Sequence, residues 1–389
     1  MSSNRRDAVH RRRRILYNND GNDTCDMYAR PDLPRTPETF LSLRTTGLAG
    51  SQVDTICYCD GVFNLYTHRS DESEPRVHSD RYKEDWAWDL AEEGHEPLNL
   101  MIEFGKTHGM EVFWSMRMND THDSADEALV CQWKKDNPHC LMGKETDTFP
   151  YGGNRWSAVN YGLEEVRDKV LRITRDVCSR YDIDGIEMDF FRHPVYFEPQ
   201  MAGDPVTPEH CEQMTGLMGR IRAMATEVEH RRGRPLLIAV RVPDSVAYAK
   251  AIGLDIVAWL EQDLIDLLTG GGYFHLEPWE NLVELGRRFD KPVYPCLSNS
   301  RLADVPEEYR NREDDLEIWR GEAARAWKAG VSGIYVYNRF DPGSALFREL
   351  GDPALLQTLD KKYVPNPGKA RNMERWLKDG SSYLKADGI

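Results

Sequence analysis

Short runs rich in β-branched and aromatic residues alternate with amphipathic stretches along most of the chain, the pattern of repeated βα units. Eight such runs can be counted, at residues 15–19, 53–59, 111–118, 185–190, 236–242, 264–269, 292–297 and 333–337. Eight strands with helices between them predict an α/β protein built as a closed (β/α)8 TIM barrel rather than an open doubly wound sheet. No Gly-x-Gly-x-x-Gly follows the first run, which argues against a dinucleotide site. The clearest helix is predicted over 163–179, where Leu163, Val166, Val170, Ile173 and Val177 form one apolar stripe. A second is expected over about 314–328, with Leu316, Trp319, Ala323 and Trp327 on one face and Gly330 as its stop. Thr207-Pro208 opens a third, threonine suiting the cap and proline the first turn.

The connections at 61–95, 119–162 and 191–206 are too long for plain βα loops, and all three would lie at the C-terminal mouth, where barrel enzymes build their sites. They hold Trp86, Trp88, Trp133, Phe149, Tyr151 and Trp156, which either pack the loops down or offer platforms to sugar rings. The expected organisation is a basic tail at 1–14, a barrel at 15–360 and a tail at 361–389 packing on it, with one short helix candidate near 372–378.

Charge and composition narrow the class. A formal net charge of −15 is the wrong sign for a general nucleic-acid surface. The Arg11–Arg14 run is the exception and is expected to be a solvated, disordered tail, with a local anion or nucleic-acid contact as the alternative. No apolar run of membrane-spanning or signal-peptide length occurs, so a cytoplasmic protein is expected, or a secreted one whose signal has been removed. The eight cysteines are scattered and are expected to be thiols; Cys57 and Cys59 lie too close for a zinc knuckle.

The fourth run carries the chemistry. In Asp184-Gly185-Ile186-Glu187-Met188-Asp189-Phe190-Phe191-Arg192-His193-Pro194, alternate residues share a face. The outer face of a barrel strand packs against helices and must be apolar, so Ile186, Met188 and Phe190 face out while Glu187 and Asp189 face the pore. An inward carboxylate is costly unless paired, to Arg117 or Arg241, or functional. Polar residues end every other strand as well: Asn18, Asn19 and Asp20; Asp60; Arg117, Asn119, Asp120 and His122; Arg241 and Asp244; Tyr273 and His275; Asn299 and Arg301; Asn338 and Arg339.

That constellation predicts a glycoside hydrolase using two carboxyl groups, one protonating the leaving oxygen and the other attacking or activating water. Asp189, beside an arginine, is the expected nucleophile or base. Asp244 is the first choice of acid, ahead of Glu187, which lies deeper on the same strand, and of Glu277. Arg117, Arg192 and Arg241 would orient carboxylates or bind an anionic sugar group, while Asn119, His193, Tyr273 and Asn338 would hydrogen-bond hydroxyls. Asp60, Asp120, His122 and His275 complete the expected substrate contacts. The expected ligand is an oligo- or polysaccharide, without cofactor or metal, nucleic acid or membrane; a homo-oligomer is left open. The rival readings are a metal-dependent isomerase or lyase acting on sugars, using Asp120, His122, His193 and His275, and a barrel that binds carbohydrate without cleaving it. No Ser nucleophile elbow or P-loop is present.

The stretch from Trp156-Ser157-Ala158-Val159-Asn160 through the helix to Asp184–Asp189 resembles the glycosyl-hydrolase-like barrels of hydrolase-like family ten. Ser115-Met116-Arg117-Met118-Asn119-Asp120 and the segment 253–260 resemble that group too, so the likeness spans roughly residues 100–275. The Asp-Gly-x-x-x-Asp pattern is also similar to the fourth-strand motif of the alpha-amylase and alpha-galactosidase superfamilies, a resemblance that implies a nucleophilic role for Asp189. In family-eighteen chitinases the catalytic glutamate would fall at Phe191, a departure that argues against their substrate-assisted mechanism.

Overall fold

A computed structural model of the chain describes residues 3–25, 32–76, 85–298, 316–364 and 373–385. Eight parallel strands close into a barrel in which each strand pairs with its sequence neighbours and the last returns to the first. They are β1 (Ile15–Asn19), β2 (Val53–Tyr58), β3 (Glu111–Arg117), β4 (Gly185–Asp189), β5 (Leu237–Val242), β6 (Leu267–Gly270), β7 (Val293–Ser298) and β8 (Ile334–Tyr337). Each falls within a residue or two of an expected run, except that β6 starts three residues later than its run. Asn299 and Arg301, expected at the end of β7, lie outside the described residues.

Helices alternate with the strands and bury their apolar stripes on the barrel. Glu164–Arg180 buries Val166, Val170, Ile173 and Val177, with Glu164 and Glu165 in its first turn and Arg180 in its last, charges that suit the helix dipole. Pro208–Arg232 begins with a reciprocal capping box between Thr207 and His210 and ends at Gly233, whose φ of 69° is the left-handed conformation that favours glycine. The helix expected at 314–328 spans Leu316–Ala329 among the described residues.

The interior is layered. Side chains of Leu16, Cys57, Phe113, Leu237, Ala239, Leu267, Tyr294, Cys296, Tyr335 and Tyr337 fill it. Register aligns Ser115, Glu187 and Ala239 in a middle layer and Arg117, Asp189 and Arg241 in the layer above. All eight cysteines are buried and unbridged.

The N-terminal segment corrects an expectation. Residues Ser3–Val9 form a helix under the barrel, with Val9 among the interior side chains. Within the Arg11–Arg14 run, expected to be solvated, Arg13 is fully buried and its guanidinium forks onto Glu111 of β3 at 2.6 and 2.9 Å. Its remaining N–H groups donate to the Val9 and Ala8 carbonyls. Arg14 pairs with Asp54 at 2.7 Å. Glu111 opens β3 and needs a cation once buried, so Arg13 plugs the lower end of the barrel, while Arg11 and Arg12 stay exposed as expected. No helix among the described residues is long and apolar enough to cross a membrane.

Candidate active site at the barrel mouth

Asp189 is the last residue of β4 and faces the pore, as the alternation requires. Arg241 Nη2 donates to its Oδ2 at 2.7 Å, and the Phe191 backbone N–H donates to its Oδ1 at 2.8 Å. Both side chains are buried, at 2% and 0% exposure, so the carboxylate stands at the mouth but under cover. Arg241 lies on the Tyr337 ring, 4.0 Å from its centroid. Gly272 passes beside it with φ 150°, where a Cβ would sit 2.7 Å from Arg241 Nη1.

Glu187 lies one inward position deeper. Ser115 Oγ donates to it at 2.7 Å and the Tyr335 hydroxyl at 3.0 Å. Burial first, and then the Asp189 charge, push its carboxyl above the usual range, so Glu187 holds its proton more tightly than a solvated glutamate.

Above this layer opens a pocket of about 360 Å³ lined by His122, Arg155, Arg192, His193, Tyr273, Arg375 and Trp376. The loops after β3 and β4, the β6 loop and the C-terminal segment supply these walls. Arg192 spans the floor, donating to the Tyr273 hydroxyl, to the Tyr337 hydroxyl at 2.9 Å and to His122 Nε2 at 2.9 Å. An arginine can only donate, so His122 Nε2 accepts and its Nδ1 carries the proton to Asp120 Oδ1 at 2.7 Å. Asp120 also accepts from Arg117 at 2.9 Å. Burial opposes its charge, but His122, Arg117 and His193 outweigh this and hold the carboxyl well below its usual range. Asp20 is similarly lowered to about 2: Arg44 and Arg117 outweigh a burial that alone would raise it. His193 Nδ1 accepts from the Thr121 N–H at 3.0 Å, which leaves its proton on Nε2. Burial lowers the His193 pKa well below its usual value, and Arg155, Arg192 and His122 lower it further against the Asp120 charge, so the ring is neutral.

Five of the expected residues thus converge: Asp120, His122, Arg192, His193 and Tyr273, with Arg117 behind Asp120. Asp189, Arg241 and Glu187 form the layer beneath. Asp60, Asn119, Asp244, His275 and Glu277 hold loops instead of lining the pocket. Asp60 accepts from Trp114 Nε1 at 3.0 Å and sits 2.7 Å from His68 Nδ1, fully buried. Asn119 clamps Val159 and Val195 through their backbones. Asp244, expected across the pocket from Asp189, accepts the Leu276 and Glu277 N–H groups at 2.9 Å each and so ties down the β6 loop. His275 stacks on Trp279 with ring centroids 3.8 Å apart, its Nε2 3.6 Å from Asp244. Glu277 accepts from Ser245 and Asn281. Asn338, just past β8, is half-buried with φ 54° and is not part of the pocket wall.

The long-loop aromatics pack loops rather than lining the pocket. Trp133 lies 5.8 Å from Phe63, Trp156 Nε1 donates to the Ser124 carbonyl, and Phe149 and Tyr151 pack on Gly143 and Gly203. Arg155, Tyr337, Arg375 and Trp376 are site residues that the strand-end pattern does not reveal. The short helical candidate near 372–378 was the one signal for the last two.

Asp120, His122 and His193 offer atoms close enough to hold a metal ion. Their chemistry does not fit one. Both His122 nitrogens are engaged, His193 Nδ1 is engaged, and Arg117, Arg155 and Arg192 oppose a further cation at the same place.

Residues 78–219, 142 of the 389, match the family described as Glycosyl hydrolase-like 10. The match covers the motifs at 115–120, 156–160 and 184–189 but not the segment 253–260. No curated protein sequence matches the chain. Among solved structures, the catalytic domain of psychrophilic chitinase B from Arthrobacter TAD20 is similar at TM-score 0.50 and 10% identity, over 91% of this chain and 97% of that one. Alpha-L-fucosidase isoenzyme 2 from Paenibacillus thiaminolyticus is similar at TM-score 0.48 and 13% identity, over 89% of this chain and 49% of that one, so the chain spans about half the fucosidase's length. The PgaB (BpsB) glycoside hydrolase domain from Bordetella bronchiseptica is similar at TM-score 0.48 and 11% identity, over 88% and 99%. At such identities the likeness is one of fold. The chain is a (β/α)8 barrel that over residues 78–219 is similar to the glycosyl hydrolase-like 10 family.

Proposed function

We propose that this protein is a glycoside hydrolase that cleaves an O-glycosidic bond in an oligo- or polysaccharide, with Asp189 as nucleophile or base. The observation that carries the reading is the placement of Asp189: it ends β4, faces the pore, is paired with Arg241, and lies within the family match. Glycosidic cleavage needs a second group that gives a proton to the leaving oxygen. Glu187 is buried beneath Asp189, one inward position deeper on β4, too far from the pocket to be that donor. On the pocket wall, the buried Asp120 carboxylate orients His122; once Arg192 leaves its Nε2, that nitrogen is free to take up a proton and then deliver it to the leaving oxygen. Arg192 lines the pocket floor and Asp189 does not, so a sugar that reaches Asp189 displaces the Arg192 side chain.

A barrel that binds carbohydrate without cleaving it is the second reading. It is favoured by the engagement of both Asp189 oxygens and by a pocket wall that carries no carboxylate among the described residues. An oligosaccharide panel with product analysis separates the two. The hydrolase reading expects products from the native protein and a loss of several orders of magnitude in Asp189→Asn with the fold intact. A near-normal rate in that variant ends the assignment, and saturable binding without product supports the binding reading.

A further inference from the structure

The pocket wall carries more positive charge than its surroundings balance. Arg155, Arg192 and Arg375 line one cavity, and none of the three has a carboxylate partner in an ion pair among the described residues. Elsewhere in this acidic chain many arginines are paired: Arg5 with Asp266, Arg13 with Glu111, Arg44 with Asp20, Arg76 with Asp85, Arg222 with Asp266 and Arg241 with Asp189. Arg155 is half-buried and spends one N–H on the Thr121 carbonyl at 3.1 Å, while Arg375 is exposed beside Trp376. Arg192 Nε is buried and has no hydrogen-bond partner. Burial and the charges of Arg375 and Arg192 lower the pKa of Arg155, so these cations repel one another at close quarters. The nearest buried anion, Asp120, is already taken by Arg117 and His122.

We infer that this pocket takes an oxyanion carried by the substrate, so that the preferred ligand is an acidic glycan bearing a carboxylate or sulfate on the sugar that sits over Arg192. The inference rests on the glycoside reading for the sugar and on the arginines for the charge. A guanidinium fork matches a planar carboxylate or a sulfate edge; Arg155, with one N–H spent on Thr121, and Arg375 offer such donors at the rim, and Arg192, whose Nη groups are held by Tyr273, Tyr337 and His122, adds positive charge beneath them. His193 adds a neutral Nε2–H, and Tyr273 and Trp376 give the wall aromatic surface for the ring. The long-range field of a −15 protein would repel such a ligand, so the attraction is local to the mouth and is weakened by salt.

The test is equilibrium binding to the whole chain of three probes: a neutral oligosaccharide, the corresponding oligouronide, and inorganic sulfate. Arg155→Gln and Arg375→Gln lie at the rim, and circular dichroism and thermal melting check that they fold. The acidic sugar is expected to bind at least tenfold more tightly than the neutral one, and each variant is expected to lose about tenfold more affinity for the acidic sugar than for the neutral one, with the preference shrinking in high salt. Equal affinity for neutral and acidic sugars, or variants that leave the acidic ligand unchanged, would overturn the inference while leaving a neutral-sugar hydrolase intact. Sulfate binding that depends on both arginines, with no sugar bound by either probe, would keep the anion site and remove the glycoside reading.

Discussion

Arg241→Met tests how the mouth is organised. The substitution keeps an unbranched side chain on Tyr337 but removes the only ion-pair partner, among the described residues, of a carboxylate that is 2% exposed. Taking one partner from a buried pair strands the other, at a cost of about 3–5 kcal/mol. Asp189→Asn strands Arg241 instead; the asparagine still accepts from the Phe191 N–H, so a loss near the lower end, about 3 kcal/mol, is expected. Arg241→Met with Asp189→Asn leaves no isolated charge, and should cost about 2–3 kcal/mol in total, well under the sum of the singles. A coupling of at least 2 kcal/mol, read from urea unfolding of the four proteins, is therefore expected. Simple additivity, or single variants that each cost under about 1 kcal/mol, would refute the pair as the element that holds Asp189 in place.

At the lower end of the barrel, Arg13→Met is expected to cost about 3 kcal/mol, because Glu111 loses a buried fork and the helix Ser3–Val9 loses two tethers; denaturant melting reads it. Gly272→Ala adds a Cβ at a φ of 150° within 2.7 Å of Arg241, so it should lower the melting temperature and depress sugar turnover together. Asp20 has a folded pKa of about 2 against an ordinary 3.8, a depressed value, so its stabilisation is complete above about pH 4 and is lost as pH falls towards 2. That difference is worth roughly 2 kcal/mol, and Asp20→Asn should flatten the acid limb of the stability profile.

The strands could be read from the chain because a barrel strand has one face that must be apolar. That requirement aimed Glu187 and Asp189 inward without reference to any other part of the molecule. Polar strand ends were more ambiguous. Asp60, Asn119 and Asp244 sit where ligand-binding residues sit, yet each satisfies loop N–H or side-chain groups, and which loop will leave its backbone short of partners is a tertiary matter. Arg13 shows the same limit: within a run of four arginines, only the fold reveals which one is buried against Glu111, 98 residues away. Arg155, Arg375 and Trp376 come from a loop and from the C-terminal segment; the helical candidate near 372–378 marks an ordered element for the last two, but nothing local tells that the three meet over β4.

The central claim is that Asp189 meets the sugar. A crystal structure of Asp189→Asn with a bound oligosaccharide tests it most directly. The account predicts Arg192 swung off Tyr337 and an anomeric carbon within about 3.5 Å of the side chain at 189. A sugar held entirely above an unmoved Arg192, with its anomeric carbon facing another carboxylate, would contradict it.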